Sequence, residues 1–251
     1  MLTMTDEFTG EAIGGAQVYP ELAGKRVLIT GITGRFGVDI ARAFAEHNAR
    51  LILQIEEASP ETDTLAEVLS PLAQDMTVRS GPLATTDDVV HYARAMAQTY
   101  GGLDVVINLV AIERGAAQDT DGSSTAIETE ACELLTRPCL VARIAANRMR
   151  LTHTEGLIIT IAALPDGASE RDRAFAMIVK SAIAAMTRAE AGEWAGDAIR
   201  FNAIAPAVGG VDAEPGLSGE TGIAALALFL ATSRGKALSG HVFEASTASA
   251  D

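Results

Sequence analysis

Tyrosine is scarce in this chain and is missing from most of it. The 251 residues include three tyrosines, Tyr19, Tyr92 and Tyr100, and none follows residue 100. A phenol, with an ordinary pKa of about 10, is one of the side chains that transfer protons in enzymes. Any site built by later residues therefore has no tyrosine of its own.

Basic residues are also few. Lysine and arginine together number 19 against 33 aspartates and glutamates, which gives a formal net charge of −14. Nucleic acids and anionic membrane surfaces both select proteins with a basic footprint, so neither is expected as a partner. No run approaches the roughly 18 apolar residues of a membrane span. Residues 1–20 have neither the basic start nor the apolar centre of a signal peptide.

The chain has two cysteines, Cys132 and Cys139. They lie two turns apart on one predicted helix, about 10 Å from each other, which is too far for a disulfide. We expect both to be buried as small apolar residues in a reduced compartment, and the protein to be cytoplasmic. The four histidines, whose spacing fits neither a metal site nor a catalytic triad, are His47, His91, His153 and His241. No metal is therefore expected.

Apolar runs of strand length alternate with helical stretches along the chain. The runs are rich in Val, Ile and Leu, which is typical of strands covered on both faces. They span 26–30, 50–55, 76–80, 104–110, 156–162, 200–205 and 241–245. The helical stretches are 36–47, 62–73, 86–100, 126–150, 169–194 and 221–232. The alternation predicts an α/β fold, a single-domain Rossmann-like doubly wound parallel sheet of about seven strands with helices on both faces.

The length and the 48% hydrophobic content fit one domain with a substantial core. We assign residues 22–251 to this Rossmann-fold domain. Residues 1–21 are polar and contain glycine, so we assign them to an N-terminal arm.

A glycine-rich motif, 30-TGITGRFG-37, follows the first predicted strand and opens a helix. Gly31, Gly34 and Gly37 permit a tight turn and close backbone approach, and the helix N-terminus offers N–H groups to a phosphate. Glu56 and Glu57 follow the second strand, where a carboxylate can bind a ribose diol and repel a 2′-phosphate. NAD is therefore favoured over NADP. The alternative is a glycine turn that serves packing, with Glu56 in water.

Several motifs resemble the short-chain dehydrogenase/reductase family across roughly residues 22–248. They are 22-LAGKRVLITG-31, 101-GGLDVVIN-108, 200-RFNAIAP-206 and 239-SGHVFEA-245, together with Lys180 within a long helix. The resemblance implies a dinucleotide-binding fold and NAD(P)-dependent oxidoreductase chemistry. It places the cofactor contacts at Gly31, Gly34, Arg35, Phe36, Gly37, Glu56, Asn108 and Lys180.

The chain departs from the family's catalytic pattern of serine, tyrosine, lysine and a helix asparagine. In the family the tyrosine passes a proton at the substrate oxygen, and the lysine lowers the pKa of that tyrosine. Here the tyrosine position is Ala176, the serine position is Ala163 and the asparagine position lies near Leu134. Because Lys180 alone remains, no catalytic residue is expected, and Lys180 would serve only if the protein is active.

The cofactor positions depart from the family as well. Arg35 stands where the common glycine loop has a glycine, and Asn108 is the one residue kept from an Asn-Asn-Ala-Gly motif. The family's adenine-contacting aspartate aligns near Pro82. The loop 207–220 is short for a lid over a substrate. Compared with the family's pattern, these departures together imply that NAD binds weakly or not at all.

Two functions are favoured by these features, and a nucleotide sensor or a non-redox lyase or isomerase is a further alternative. The first is a non-catalytic or regulatory subunit, a pseudoenzyme, in a homo-oligomer or with an active paralogue of the family. Helices 126–150 and 169–194 correspond to the pair that forms a four-helix interface between family subunits. The alternative is an NAD-dependent oxidoreductase with non-standard proton transfer, through water, a substrate group or Lys180. Asp166 and Ser169 are the candidate replacement acids, and Lys180 has a structural alternative, an ion pair with a carboxylate.

Overall fold

The computed structural model describes residues 19–33, 36–56, 60–81, 83–112, 124–164, 168–206 and 217–246. Some sequence predictions lie outside these ranges, namely those for Gly34, Arg35, Glu57, Pro82, Asp166, residues 1–18 of the arm and residues 207–216 of the short loop. At the end of the arm, Tyr19 stacks on the ring of His47, with 5.5 Å between ring centroids.

A parallel sheet forms the centre of the molecule. Its strands are β1 (Arg26–Ile32), β2 (Arg50–Ile55), β3 (Asp75–Ser80), β4 (Val105–Ala111), β5 (Gly156–Ala163), β6 (Ile199–Pro206), β7 (Leu217–Ser218) and β8 (Val242–Ser246). The spatial order is β3-β2-β1-β4-β5-β6-β8-β7, and every pair is parallel. All seven predicted strands are confirmed. The two-residue strand β7 was not predicted, because so short a segment carries no periodicity.

Six α-helices connect the strands in the part of the chain that the structure describes. They are α1 (Val38–Glu46), α2 (Pro60–Leu69), α3 (Thr86–Met96), α4 (Ser124–Leu151), α5 (Glu170–Glu193) and α6 (Gly219–Ala231). The predicted start of α6 at residue 221 was wrong by two residues, so Glu220 lies in the first turn of α6 and not in a loop. The first turn of α6 thus carries the Glu220 carboxylate, which contacts the start of α1.

Strand side chains alternate between two helical layers. Val27 and Ile29 of β1 belong to a buried core with α1, α2 and α6, whereas Leu28 packs with α3 and α4 on the other face. This alternation on a sheet covered from both sides explains the unbroken apolar runs of the sequence. The doubly wound α/β fold is thereby confirmed.

The two cysteines differ from their prediction. Both lie on α4, where Cys132 is exposed and Cys139 is half-buried. They are free thiols, as their separation predicts. The expectation of two buried side chains was wrong because an amphipathic helix of this length turns part of its surface to solvent.

The strand order reverses between β1 and β4. From β1 the chain proceeds outward to β2 and β3, and from β4 it proceeds in the opposite direction. In such sheets the helices leaving the two central strands turn to opposite faces, which opens a crevice at the carboxyl ends of the strands. The predicted site residues of β1, β2 and β4 are brought together at this edge.

Candidate cofactor crevice and active-site positions

Two glycines shape the crevice by close contact with β4. Gly31 has a φ of +81°, and a Cβ atom there would lie far inside contact distance of the Leu109 carbonyl oxygen. Gly37 has a φ of +101°, and its Cβ atom would collide with the Leu109 side chain. The Gly31 N–H donates to Oε1 of the buried Gln54 at 2.7 Å. Both positions therefore require glycine for packing between β1, α1 and β4.

A carboxylate of the chain itself occupies the N-terminus of α1. Oε1 of Glu220 accepts from the backbone N–H groups of Gly37 at 2.9 Å, Asp39 at 2.7 Å and Ile40 at 3.3 Å. A second contact lies beside it, where the Thr221 hydroxyl donates to Oδ2 of Asp39 at 3.0 Å. The free N–H groups that the glycine motif predicts for a phosphate are engaged by Glu220.

The electrostatics of this contact are mixed. Glu220 lies in the first turn of α6, and its carboxylate contacts the N-terminus of α1. The dipoles of both helices therefore favour its negative charge. Burial raises the pKa of Glu220, the neighbouring charge of Asp39 adds to the rise, and the three backbone N–H bonds oppose it. With Glu220 in this position, these three N–H groups are not free to bind the pyrophosphate of a dinucleotide.

The carboxylate expected at the ribose diol is also engaged. Glu56, directly after β2, forms an ion pair with Arg137 of α4. The Arg137 guanidinium donates in addition to the Leu83 carbonyl oxygen at 3.2 Å. Glu56 is therefore ion-paired, with 20% of its side chain exposed, and the ion pair links β2 to α4 across the crevice.

Asn108 is held inside the protein. Its side chain is fully buried, Oδ1 accepts from the Thr30 hydroxyl at 3.0 Å, and Nδ2 donates to the Pro138 carbonyl oxygen at 3.3 Å. These bonds join β1, β4 and α4. Phe36 is half-buried against the core, and its backbone N–H donates to the Thr33 hydroxyl at 3.1 Å.

The crevice between these groups is narrow and acidic. Its volume is ≈ 370 Å³. The side chains that line it include Glu56, Glu130 and Glu133 beside Arg137. A larger hollow of ≈ 900 Å³ lies at the amino ends of the strands, around Asp104 and Gly156, away from the predicted site. The acidic lining disfavours an anionic ligand in the crevice.

Lys180 of α5 pairs with a carboxylate of the sheet. Its ammonium group forms an ion pair with Glu244 of β8, and 19% of the Lys180 side chain is exposed. This is the arrangement that the structural alternative for Lys180 expects. The pair holds the amine beside β8, the neighbour of β6.

The three positions at which the family's pattern has a tyrosine, a serine and an asparagine lie in or beside apolar surroundings. Ala176, one turn before Lys180, is fully buried in a cluster with Phe175 and Val179, and Leu134 of α4 packs against the same cluster. Ala163 ends β5 half-buried, and its carbonyl oxygen accepts from the Ile112 N–H at 2.8 Å. These side chains offer no proton to a substrate.

The other candidate acids have different partners. The hydroxyl of Ser169 donates to Oδ2 of Asp172 at 2.6 Å and caps the N-terminus of α5. Tyr92 lies half-buried on α3, and Tyr100 lies just beyond α3 with its hydroxyl 3.1 Å from that of Thr77. Both tyrosines are thus on the helical layer that leads into β4, remote from Lys180.

Sequence reasoning missed Glu220, Arg137 and Gln54. Each makes its contact across a long separation, 181 residues for Glu220 to Asp39 and 81 for Arg137 to Glu56. An acidic residue in the first turn of a helix is common, because it complements the dipole of that helix. The local signal at Glu220 is therefore ordinary, and its contact with α1 depends on how α1 and α6 pack.

Neither a metal site nor a membrane-spanning helix is found within the described ranges. Among those residues, no group of three or more His, Cys, Asp or Glu side chains is arranged to hold a metal ion. None of the described helices combines the length and hydropathy that crossing a bilayer requires.

Known proteins resemble this chain in sequence and in structure. The model of a family described as enoyl-(acyl carrier protein) reductase matches residues 31–227. A galactitol 2-dehydrogenase (L-tagatose-forming) of Cereibacter sphaeroides is 29% identical over 190 residues, which are 74% of this chain and 71% of the relative. An uncharacterized oxidoreductase of Mycobacterium tuberculosis is 30% identical over 196 residues, 73% of this chain and 67% of the relative.

Solved structures agree on the fold. A short chain dehydrogenase from Mycobacterium smegmatis superposes with a TM-score of 0.73 at 21% identity, covering 96% of this chain and 99% of that one. A short-chain type dehydrogenase/reductase from Mycobacterium marinum gives a TM-score of 0.71 at 22% identity, covering 90% and 94%. The family match covers most of the chain, and the sequence relatives agree with it. The chain therefore belongs to the short-chain dehydrogenase/reductase family.

Proposed function

We propose that this chain is a non-catalytic member of its family, a subunit that serves in a homo-oligomer or beside an active paralogue. The observation that carries the proposal is the surrounding of Lys180. One helical turn before it stands Ala176, fully buried, where the family's pattern has the proton-transferring tyrosine. The amine itself is paired with Glu244.

The proposal follows from the chemistry of carbonyl reduction. Hydride transfer to a carbonyl requires a proton for the oxygen, and a phenol supplies it near neutral pH when a neighbouring cation lowers its pKa. Ala176, Ala163 and Leu134 supply no exchangeable side-chain proton. The Lys180 ammonium group is itself engaged by the Glu244 carboxylate.

Members of the family typically bind NAD(P). In this chain the groups best placed to hold a dinucleotide are engaged elsewhere, since Glu220 bonds the α1 N-terminus and Arg137 pairs with Glu56. Both contacts support weak or absent binding of NAD. They also stabilise the packing of α1, α4 and α6, which a subunit with a structural role requires.

An exposed apolar pair on α5 supports assembly. Met177 and Ile178 are adjacent, and 53% and 52% of them are exposed. Large apolar side chains exposed side by side are a feature of protein contact surfaces. In the family α4 and α5 form the interface between subunits, so we assign this pair to a contact with a second copy or with an active paralogue.

The assembly is tested by replacing both exposed side chains with charges. The double variant Met177→Glu, Ile178→Glu is expected to elute as a monomer in size-exclusion chromatography with light scattering, while the wild type elutes as an oligomer or with a co-purified paralogue identified by mass spectrometry. Val68→Glu serves as the control, because Val68 is also exposed, at 47%, but lies on α2. A monomeric wild type recovered alone from its native host would contradict the proposal.

The second candidate is an NAD-dependent oxidoreductase with non-standard proton transfer. It is favoured by the relatives named as dehydrogenases and oxidoreductases and by the partial exposure of the Lys180 side chain. Under this function Lys180→Ala is expected to lower NADH-dependent turnover at least about 100-fold, the usual contribution of a general acid or base. The matched control is Lys236→Ala, since Lys236 pairs with Glu155 at 2.9 Å near the amino ends of the strands. Equal turnover in both variants would exclude Lys180 from the reaction.

A further inference from the structure

We propose that the Glu220 carboxylate is a built-in substitute for a dinucleotide phosphate, which keeps the N-terminus of α1 closed until the side chain withdraws. The inference goes beyond the proposed function and does not depend on it, because it concerns binding of the nucleotide and not transfer of a hydride.

The geometry of the contact is that of an anion at a helix end. One oxygen, Oε1 of Glu220, accepts from three backbone N–H groups within the first turn of α1, with distances of 2.7–3.3 Å. The N-cap residue of α1 is Gly37, which has no side chain that could cap the helix. The orphan donors of the first turn therefore need an acceptor from elsewhere, and Glu220 is that acceptor.

The position of Glu220 is fixed by packing and not by a flexible tail. α1 and α6 share one buried core, in which Ile40 and Phe44 of α1 lie with Ile223 and Leu226 of α6. Immediately before α6, the short strand β7 pairs with β8. The Thr221 hydroxyl makes the second link, to Asp39. These contacts hold the first turn of α6 against the start of α1. The Glu220 carboxylate therefore binds the N–H groups of α1 with little further loss of conformational entropy.

A nucleotide phosphate would compete for the same donors. It would meet two negative charges, Glu220 on the donors and Asp39 beside them, so binding requires that the Glu220 side chain turns away. A ligand that binds only the open arrangement has its affinity reduced by the fraction of molecules that are open. Removing the carboxylate should therefore raise the affinity for a phosphate-bearing nucleotide.

The test is isothermal titration calorimetry of the purified full chain with ADP, with NAD and with inorganic pyrophosphate. Glu220→Gln keeps the shape and removes the charge, and Glu220→Ala frees the N–H donors. Both variants are expected to bind ADP and NAD at least about tenfold more tightly than the wild type, with the larger gain for Glu220→Ala. Pyrophosphate is expected to follow the same order.

The control is Glu21→Gln. Oε1 of Glu21 also accepts from a backbone N–H, that of Ser233 at 2.6 Å, but it lies near the amino ends of the strands. This variant is expected to bind like the wild type. Circular dichroism and thermal unfolding establish that each variant is folded, and Glu220→Gln carries the test if Glu220→Ala does not fold. Equal affinities of wild type and folded Glu220 variants, or no binding by any of them, would overturn the proposal.

Discussion

Gly31→Ala is expected to lower the free energy of unfolding by about 2–5 kcal/mol. Two costs add. A non-glycine residue in the left-handed region costs about 1–2 kcal/mol. The added Cβ atom also collides with the Leu109 carbonyl oxygen, and forcing β1 and β4 apart costs a further ~1–3 kcal/mol.

Gly101→Ala is the matched control. Gly101 has a φ of +82°, almost that of Gly31, but a Cβ atom there has nothing within 4 Å. The control should therefore lose only the conformational part, about 1–2 kcal/mol. Urea unfolding followed by fluorescence of Trp194 measures both, since it is the single tryptophan, is buried, and ends α5 away from the crevice. Equal losses in the two variants would refute the close contact between β1 and β4.

Asn108→Asp is expected to lower the free energy of unfolding by about 3–5 kcal/mol, because it leaves a buried charge without a compensating partner. The amide donates to the Pro138 carbonyl oxygen, and a carboxylate in its place would present an acceptor to an acceptor. The bond to the Thr30 hydroxyl can persist, but it does not neutralise the charge. The same urea unfolding measures the loss.

Asn147→Asp is the control for that substitution. Asn147 is exposed on α4, and its side-chain oxygen accepts from the Arg150 guanidinium at 2.8 Å. A carboxylate is well placed there, so the change in stability is expected within about 0.5 kcal/mol of zero. If Asn108→Asp were as mild as this control, the network that joins β1, β4 and α4 through Asn108 would not contribute to stability.

The fold follows from the sequence because its signals are local and repeated. The apolar runs of the seven longer strands and the helical stretches between them are each long enough to have a recognisable period. β7 has no such signal, since it consists of Leu217 and Ser218 and is defined by its pairing with β8. The first residues of α6, Gly-Glu-Thr-Gly, also have no apolar period, and the predicted start of this helix is therefore two residues late.

The candidate site follows from the sequence only in part. Gly31, Gly37, Glu56 and Asn108 are indeed brought to one edge of the sheet, where the order of the strands reverses. The side chains that contact Gly37 and Glu56 come from residues far along the chain. The sequence near Glu220 or Arg137 does not indicate that the first reaches the start of α1 or that the second pairs with Glu56, because both contacts arise from helix packing.

The central claim is that no proton donor of the family's kind stands beside the Lys180 amine among the residues that the structure describes. The most direct measurement is NADH oxidation by the purified wild type, followed by absorbance, against a panel of ketones, aldehydes and sugars in excess NADH. We expect a rate equal to that of the buffer blank for every substrate. Turnover above the blank that disappears in Lys180→Ala and persists in Lys236→Ala would contradict it.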